Sequence, residues 1–115
     1  MKKCVIVEDE IAASEVVAFL ASQIQGIEIV ASFNNAKQAL DFLNNQDEVA
    51  ILFLDIHLPE MSGFAFLEAL IPKPKVILTT SDKNMAMTAY DFDLVVDYLV
   101  KPLQKDRFIE AVGRC

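Results

Sequence analysis

Ala50-Ile51-Leu52-Phe53-Leu54 is an unbroken apolar run, and it stops at Asp55. Consecutive apolar residues without polar alternation fit a strand buried on both faces. The stretch that follows, Ile56-His57-Leu58-Pro59-Glu60-Met61-Ser62-Gly63, holds the turn formers Pro59 and Gly63. An amphipathic segment begins there. A buried strand, a carboxylate at its end and a turn into a helix form the unit on which the chain is built.

The unit recurs. Cys4-Val5-Ile6-Val7, Ile27 to Phe33, Val76 to Leu78 and Val95 to Val100 are further apolar runs, each expected to be a buried strand. Between them, Ala13, Val16, Val17, Leu20 and Ile24 repeat at helical spacing, as do Ala36, Ala39, Leu40 and Leu43. Asn34 or Asn35 caps the second of these helices, and Gly26 stops the first. Shorter helices are predicted over about Gly63 to Leu70, Met85 to Asp91 and Gln104 to Gly113. Strict alternation of strand and helix predicts an α/β fold, a parallel sheet with helices on both faces.

Composition narrows the function. A chain of 115 residues fits one domain, and 54% apolar residues supply a core without disulfides. The net charge of −7 argues against nucleic-acid binding by this domain, because phosphate backbones require clustered Lys and Arg. Cys4 lies in a β-branched run and reads as a small buried hydrophobe; no Cys/His spacing marks a zinc site. Glu8, Asp9 and Glu10 interrupt the first apolar run, so it is no secretory signal, and nothing has the length of a membrane span. A cytoplasmic location is expected.

In open parallel sheets, sites form at the carboxyl ends of the strands. Glu8, Asp9 and Glu10 follow the first strand and Asp55 the third. Thr79, Thr80 and Ser81 follow the fourth, and Lys101 and Pro102 the fifth. Singly, each has an ordinary reading: Glu8 and Asp9 could cap a helix, Asp55 start a turn, Thr80 end a strand and Lys101 face solvent. Together they fall on one rim. Three crowded carboxylates repel, and a hard divalent cation such as Mg²⁺ relieves this while accepting phosphate oxygens. A carboxylate can also act as a nucleophile toward phosphorus, with a hydroxyl and an ammonium binding the other oxygens.

Val5-Ile6-Val7-Glu8-Asp9-Glu10, Leu52 to Gly63, Thr79-Thr80-Ser81 and Asp97-Tyr98-Leu99-Val100-Lys101-Pro102 together resemble the receiver domains of bacterial two-component response regulators, over essentially the whole chain. The resemblance implies a flavodoxin-like (βα)5 sandwich with strand order 2-1-3-4-5. It implies that Asp55 is the phosphoacceptor and that Glu8, Asp9, Asp55 and the backbone carbonyl of His57 hold Mg²⁺. Thr80 and Lys101 would bind phosphoryl oxygens, and Thr80 with Tyr98 would form the switch. Pro59 and Gly63 would shape the loop after Asp55, and Lys101-Pro102 would be a cis peptide. Phosphorylation would draw Thr80 inward and let Tyr98 rotate inward, re-shaping the face made by the fourth helix, fifth strand and fifth helix.

The expected partners are a sensor histidine kinase or phosphotransfer protein, with a homodimer through that same face as a further expectation. Met85, Met87, Tyr90 and Phe92 are its candidate apolar residues. The paired threonines and Asp-Tyr-Leu most resemble the LytTR type, in which a DNA-binding output domain follows the receiver. Residues 1–115 are thus expected to be one receiver domain, excised or stand-alone, controlling transcription through an output domain outside this sequence. It is expected to be no enzyme beyond its own phosphorylation and dephosphorylation. An unphosphorylated interaction module is the alternative, although its usual mark, loss of Asp55, Lys101 or the acidic pair, is missing. A Mg²⁺-dependent phosphatase with His57 as acid–base group is the other.

Overall fold

The computed structural model describes residues 1–115. Ten elements alternate: β1 (Lys2–Val7), α1 (Ile11–Ser22), β2 (Ile27–Phe33), α2 (Ala36–Asn44), β3 (Val49–Asp55), α3 (Gly63–Ala69), β4 (Lys75–Thr80), α4 (Ala86–Ala89), β5 (Val95–Val100) and α5 (Lys105–Gly113). The five strands pair in parallel in the order β2-β1-β3-β4-β5. The reversal of order between β1 and β3 is the switch point at which such sheets carry their sites.

Side-chain alternation divides the core into two layers. Val5, Val7, Leu52, Leu54, Val76 and Leu78 pack with Ala39, Leu43, Phe66 and Leu67 of α2 and α3 on one face. Cys4, Ile6, Ile51, Phe53, Ile77 and Leu99 pack with Val17, Leu20, Phe108 and Ala111 of α1 and α5 on the other. Phe53 and Phe108 stack at 5.2 Å between centroids. β1, β3 and β4 are covered on both sides, which explains their unbroken apolar runs. Burial also pushes the Cys4 thiol up to about 11, consistent with a small buried hydrophobe.

Several expectations need correction. β2 is an edge strand whose residues alternate between covered and open positions, so it is not buried on both faces. α1 begins at Ile11, and Val16, placed on its inward stripe from spacing, is 43% exposed. Ile24 packs near the same layer, but from the turn after the helix. The fourth helix is shorter than expected, a 3₁₀ turn at Lys83–Met85 followed by one α-helical turn. Asn35, not Asn34, caps α2, accepting the Gln38 N–H at 3.0 Å. Gly26 has φ +93 between α1 and β2, a conformation that favours glycine.

At the other edge, β5 holds a buried charge. Asp97 accepts both guanidinium N–H groups of Arg107 at 2.7 and 2.5 Å, a further one from Arg114, and the Tyr98 N–H at 2.8 Å. The Tyr90 hydroxyl donates to it from the C-cap of α4 at 3.5 Å. Burial pushes this carboxyl up, but Arg107, the Tyr98 N–H and Arg114 outweigh it and hold it below 3.8. Asp97→Asn is expected to cost about 1–2 kcal/mol near neutral pH, the loss of charge-assisted hydrogen bonds. A depressed pKa stabilises the fold above the unfolded value and loses that contribution as pH falls through the folded one. The difference from the native chain should therefore shrink in acid below pH 3.8, as urea unfolding over a pH series would measure.

Candidate functional site

The carboxyl ends of β1, β3, β4 and β5 meet at one rim. Glu8 and Asp55 are buried and Asp9 is half-buried, and one carboxylate oxygen from each lies within 4.8 Å of the others. Lys101 reaches into this group. Its Nζ donates to Glu8 Oε1 at 2.8 Å and stands 3.7 Å from Asp55 Oδ2 and 3.9 Å from Glu10 Oε1. Neither Glu8 nor Asp9 caps α1, whose N-cap is Glu10. Glu8 Oε2 instead accepts the Glu10 N–H at 3.2 Å.

Electrostatics follow from this crowding. Burial pushes the Glu8 carboxyl above 4.5; Lys101 pulls it down, and the adjacent Asp55 pushes it up again, with a net rise. Burial works against the Lys101 ammonium, yet Glu8, Asp55 and Glu10 more than offset it and hold the lysine above 10.5. Glu8, Asp9 and Asp55 share a single ammonium, so the pocket keeps surplus negative charge in a largely buried setting. A hard divalent cation with oxygen ligands fits that donor set.

The neighbouring groups frame the pocket. Asp55 Oδ1 accepts the His57 N–H at 3.2 Å, and the His57 carbonyl accepts no hydrogen bond from the chain. The His57 imidazole is exposed and outside the carboxylate group. Thr80 is fully buried, and its Oγ1 accepts the Asp82 N–H at 3.0 Å. The Lys101 N–H donates to the Thr80 carbonyl at 2.7 Å, and Lys101-Pro102 is cis. Pro59 lies in the loop between β3 and α3. Gly63 closes that loop, its N–H donating to the Ile56 carbonyl at 2.6 Å.

Tyr98 departs from expectation. It already lies inward, buried, with its hydroxyl donating to the Asp82 carbonyl and accepting the Met85 N–H at 3.1 Å. Two adjacent β5 residues thus hold the fourth-helix segment, Tyr98 near its start and Asp97 near its end through Tyr90. Sequence reasoning missed the Asp97 pairing. The available signal was Arg107 in α5 and Arg114 at its C-cap, two helical turns apart on one face.

A family model for the response regulator receiver domain matches residues 4–113. The chain belongs to that family. The receiver is 35% identical to a response regulatory protein of Shewanella oneidensis over 99% of its own length and 48% of the relative's. It is 33% identical to protein MrkE of Klebsiella pneumoniae over 97% of its length and 42% of that protein. It thus spans less than half of these relatives. The crystal structure of the MrkE response regulatory domain superposes with a TM-score of 0.85 at 32% identity, covering 97% of this chain and 93% of that one. A CheY-like receiver from Methanospirillum hungatei shares the fold at a TM-score of 0.80 and 23% identity. No helix here is long and apolar enough to cross a membrane.

Proposed function

We propose that this receiver accepts a phosphoryl group on Asp55 from the phosphohistidine of a sensor histidine kinase or phosphotransfer protein. The observation that carries this reading is the convergence of Glu8, Asp9 and Asp55, with the Lys101 ammonium bonded to Glu8 and 3.7 Å from Asp55, beside the buried Thr80. An Asp55 carboxylate oxygen forms the new O–P bond as the N–P bond to the donor imidazole breaks; the imidazole keeps that electron pair and takes up a proton. Asp9, Asp55 and the His57 carbonyl would hold Mg²⁺, with Glu8 beside it. When bound, the ion neutralises charge on the transferring group. Lys101 exchanges its bond to Glu8 for one to a phosphoryl oxygen, and the Thr80 hydroxyl turns from the Asp82 N–H to donate to another.

The surface beside the rim offers apolar residues to a protein donor. Ile11 and Phe19 of α1 are 73% and 64% exposed, and Ala12, Ala13, Val16, Pro102 and Leu103 line an apolar groove of about 290 Å³ next to Lys101. The output reading rests on the fourth-helix face. Met87 is 89% exposed and Tyr90 is open, while Met85 and Phe92 pack against the core. Occupancy of Asp55 shifts the population between arrangements of α4, β5 and α5, and that face meets a second copy or an output domain. Transcription is the proposed output, since one relative is the transcriptional regulatory protein YpdB of Escherichia coli, 32% identical. Residues 1–115 are the proposed receiver unit.

Intact mass after incubation with acetyl phosphate tests the reading. One phosphoryl adduct is expected with Mg²⁺ and none after chelation. An unlabelled, folded native chain in Mg²⁺ would favour the interaction module instead.

A further inference from the structure

Glu60 lies outside the carboxylate group, and the bond it makes is long-range. Its Oε1 accepts the Ala36 N–H at 2.8 Å. Ala36 is the first residue of α2, where an N–H has no partner inside the helix and a carboxylate is favoured by the helix dipole. Asn35 already caps this end by taking the Gln38 N–H. α2 is therefore capped twice, once locally and once from the loop between β3 and α3.

That loop begins at Asp55. Its base is well anchored: Asp55 takes the His57 N–H, His57 and Ser62 form an antiparallel bridge, Gly63 bonds back to Ile56, and Leu58 is buried. The outer part, Leu58 to Met61, has one hydrogen bond to another element, the bond from Ala36 to Glu60. The loop also carries the His57 carbonyl. A ligand on a backbone is only as well placed as the backbone that presents it.

We propose that Glu60 is a positioning residue for the cation site: by gripping the start of α2 it fixes the outer loop, Leu58 to Met61, whose first peptide contains the His57 carbonyl. This rests on the proposed reading of the rim as a Mg²⁺ site. Glu60 acts through acceptor geometry, so an amide oxygen at the same place should serve. Its negative charge is not what the site uses.

The test is Mg²⁺ titration of the unphosphorylated chain by calorimetry, with Ala36 amide exchange followed by NMR. Glu60→Ala should weaken Mg²⁺ binding about tenfold, the lower end for groups that orient metal ligands, and should speed Ala36 exchange. Glu60→Gln should restore both to near the native values. Equal Mg²⁺ affinity in native and Glu60→Ala, despite faster Ala36 exchange, would make the bond a helix cap only and overturn the proposal. Equal weakening in the Ala and Gln variants would show that charge acts, and would also overturn it. A native chain that binds no Mg²⁺ would sink the reading of the rim itself, and the proposal with it.

Discussion

Asp55→Asn is expected to abolish phosphoryl labelling and, in the same protein, to raise the stability of the fold by about 1 kcal/mol. The first effect is absolute, because an amide oxygen does not form the acyl phosphate. The second follows from crowding. Asp55 is buried within 4.8 Å of carboxylate oxygens from Glu8 and Asp9, and its charge is one reason the Glu8 carboxyl is pushed up. An amide keeps the acceptor for the His57 N–H and removes that repulsion, while Lys101 stays paired with Glu8. Urea unfolding in chelator reads the stability, and intact mass reads the labelling. Added Mg²⁺ should narrow or reverse the gap, since a ligand at a hundred times its Kd stabilises the binding-competent chain by about 2.7 kcal/mol. A variant less stable than the native chain in chelator would show that the acids do not strain the fold.

Gly63→Ala should be among the most damaging single-methyl additions. A Cβ at Gly63 would stand 2.8 Å from the Ile56 Cα and 3.1 Å from the Asp55 carbonyl oxygen. Both are backbone atoms, so no side-chain rotation makes room, and relief requires the strand end to separate from the start of α3. The expected cost is about 3 kcal/mol, the upper part of the range for overpacking. The displaced atoms belong to Asp55 and its neighbour, so the phosphoryl labelling rate should fall as well. Gly113 is the control: it lies in α5 with nothing within 4 Å of an added methyl, so Gly113→Ala should not destabilise. Chemical denaturation of both variants measures the contrast. A Gly63→Ala chain as stable as native would mean that the loop has slack.

Much of the architecture was legible because it follows from burial. The central strands, covered on both faces, read as unbroken apolar runs, and helical periodicity supplied the elements between them. Parallel pairing then required Glu8, Asp9, Asp55, Thr80 and Lys101 to share a rim, and the structure brings them together there. The limits were equally physical. Val16 obeys helical spacing yet sits on an open apolar face, because periodicity cannot tell which apolar side of α1 meets the sheet. β2 looked like a central strand because its residues are apolar, although only one of its edges is paired. Glu60 with Ala36 joins segments distant in the chain, and no local pattern encodes it, while Asp97 with Arg107 and Arg114 was marked only by the spacing of the two arginines. The fourth-helix segment is held by bonds from Tyr98 and Asp97, and propensity has no term for such bonds.

The grip of Glu8 on Lys101 has a consequence for chemoselectivity. Acetyl phosphate presents two electrophilic centres, a phosphorus that a carboxylate attacks and a carbonyl carbon that a free amine attacks. An amine reacts only when unprotonated, and the acids around Lys101 keep it charged above its ordinary 10.5. On the proposed reading, the same contact that would ready the lysine for a phosphoryl oxygen would also withhold its lone pair from acylation, so attack on a mixed anhydride is expected at phosphorus, by Asp55.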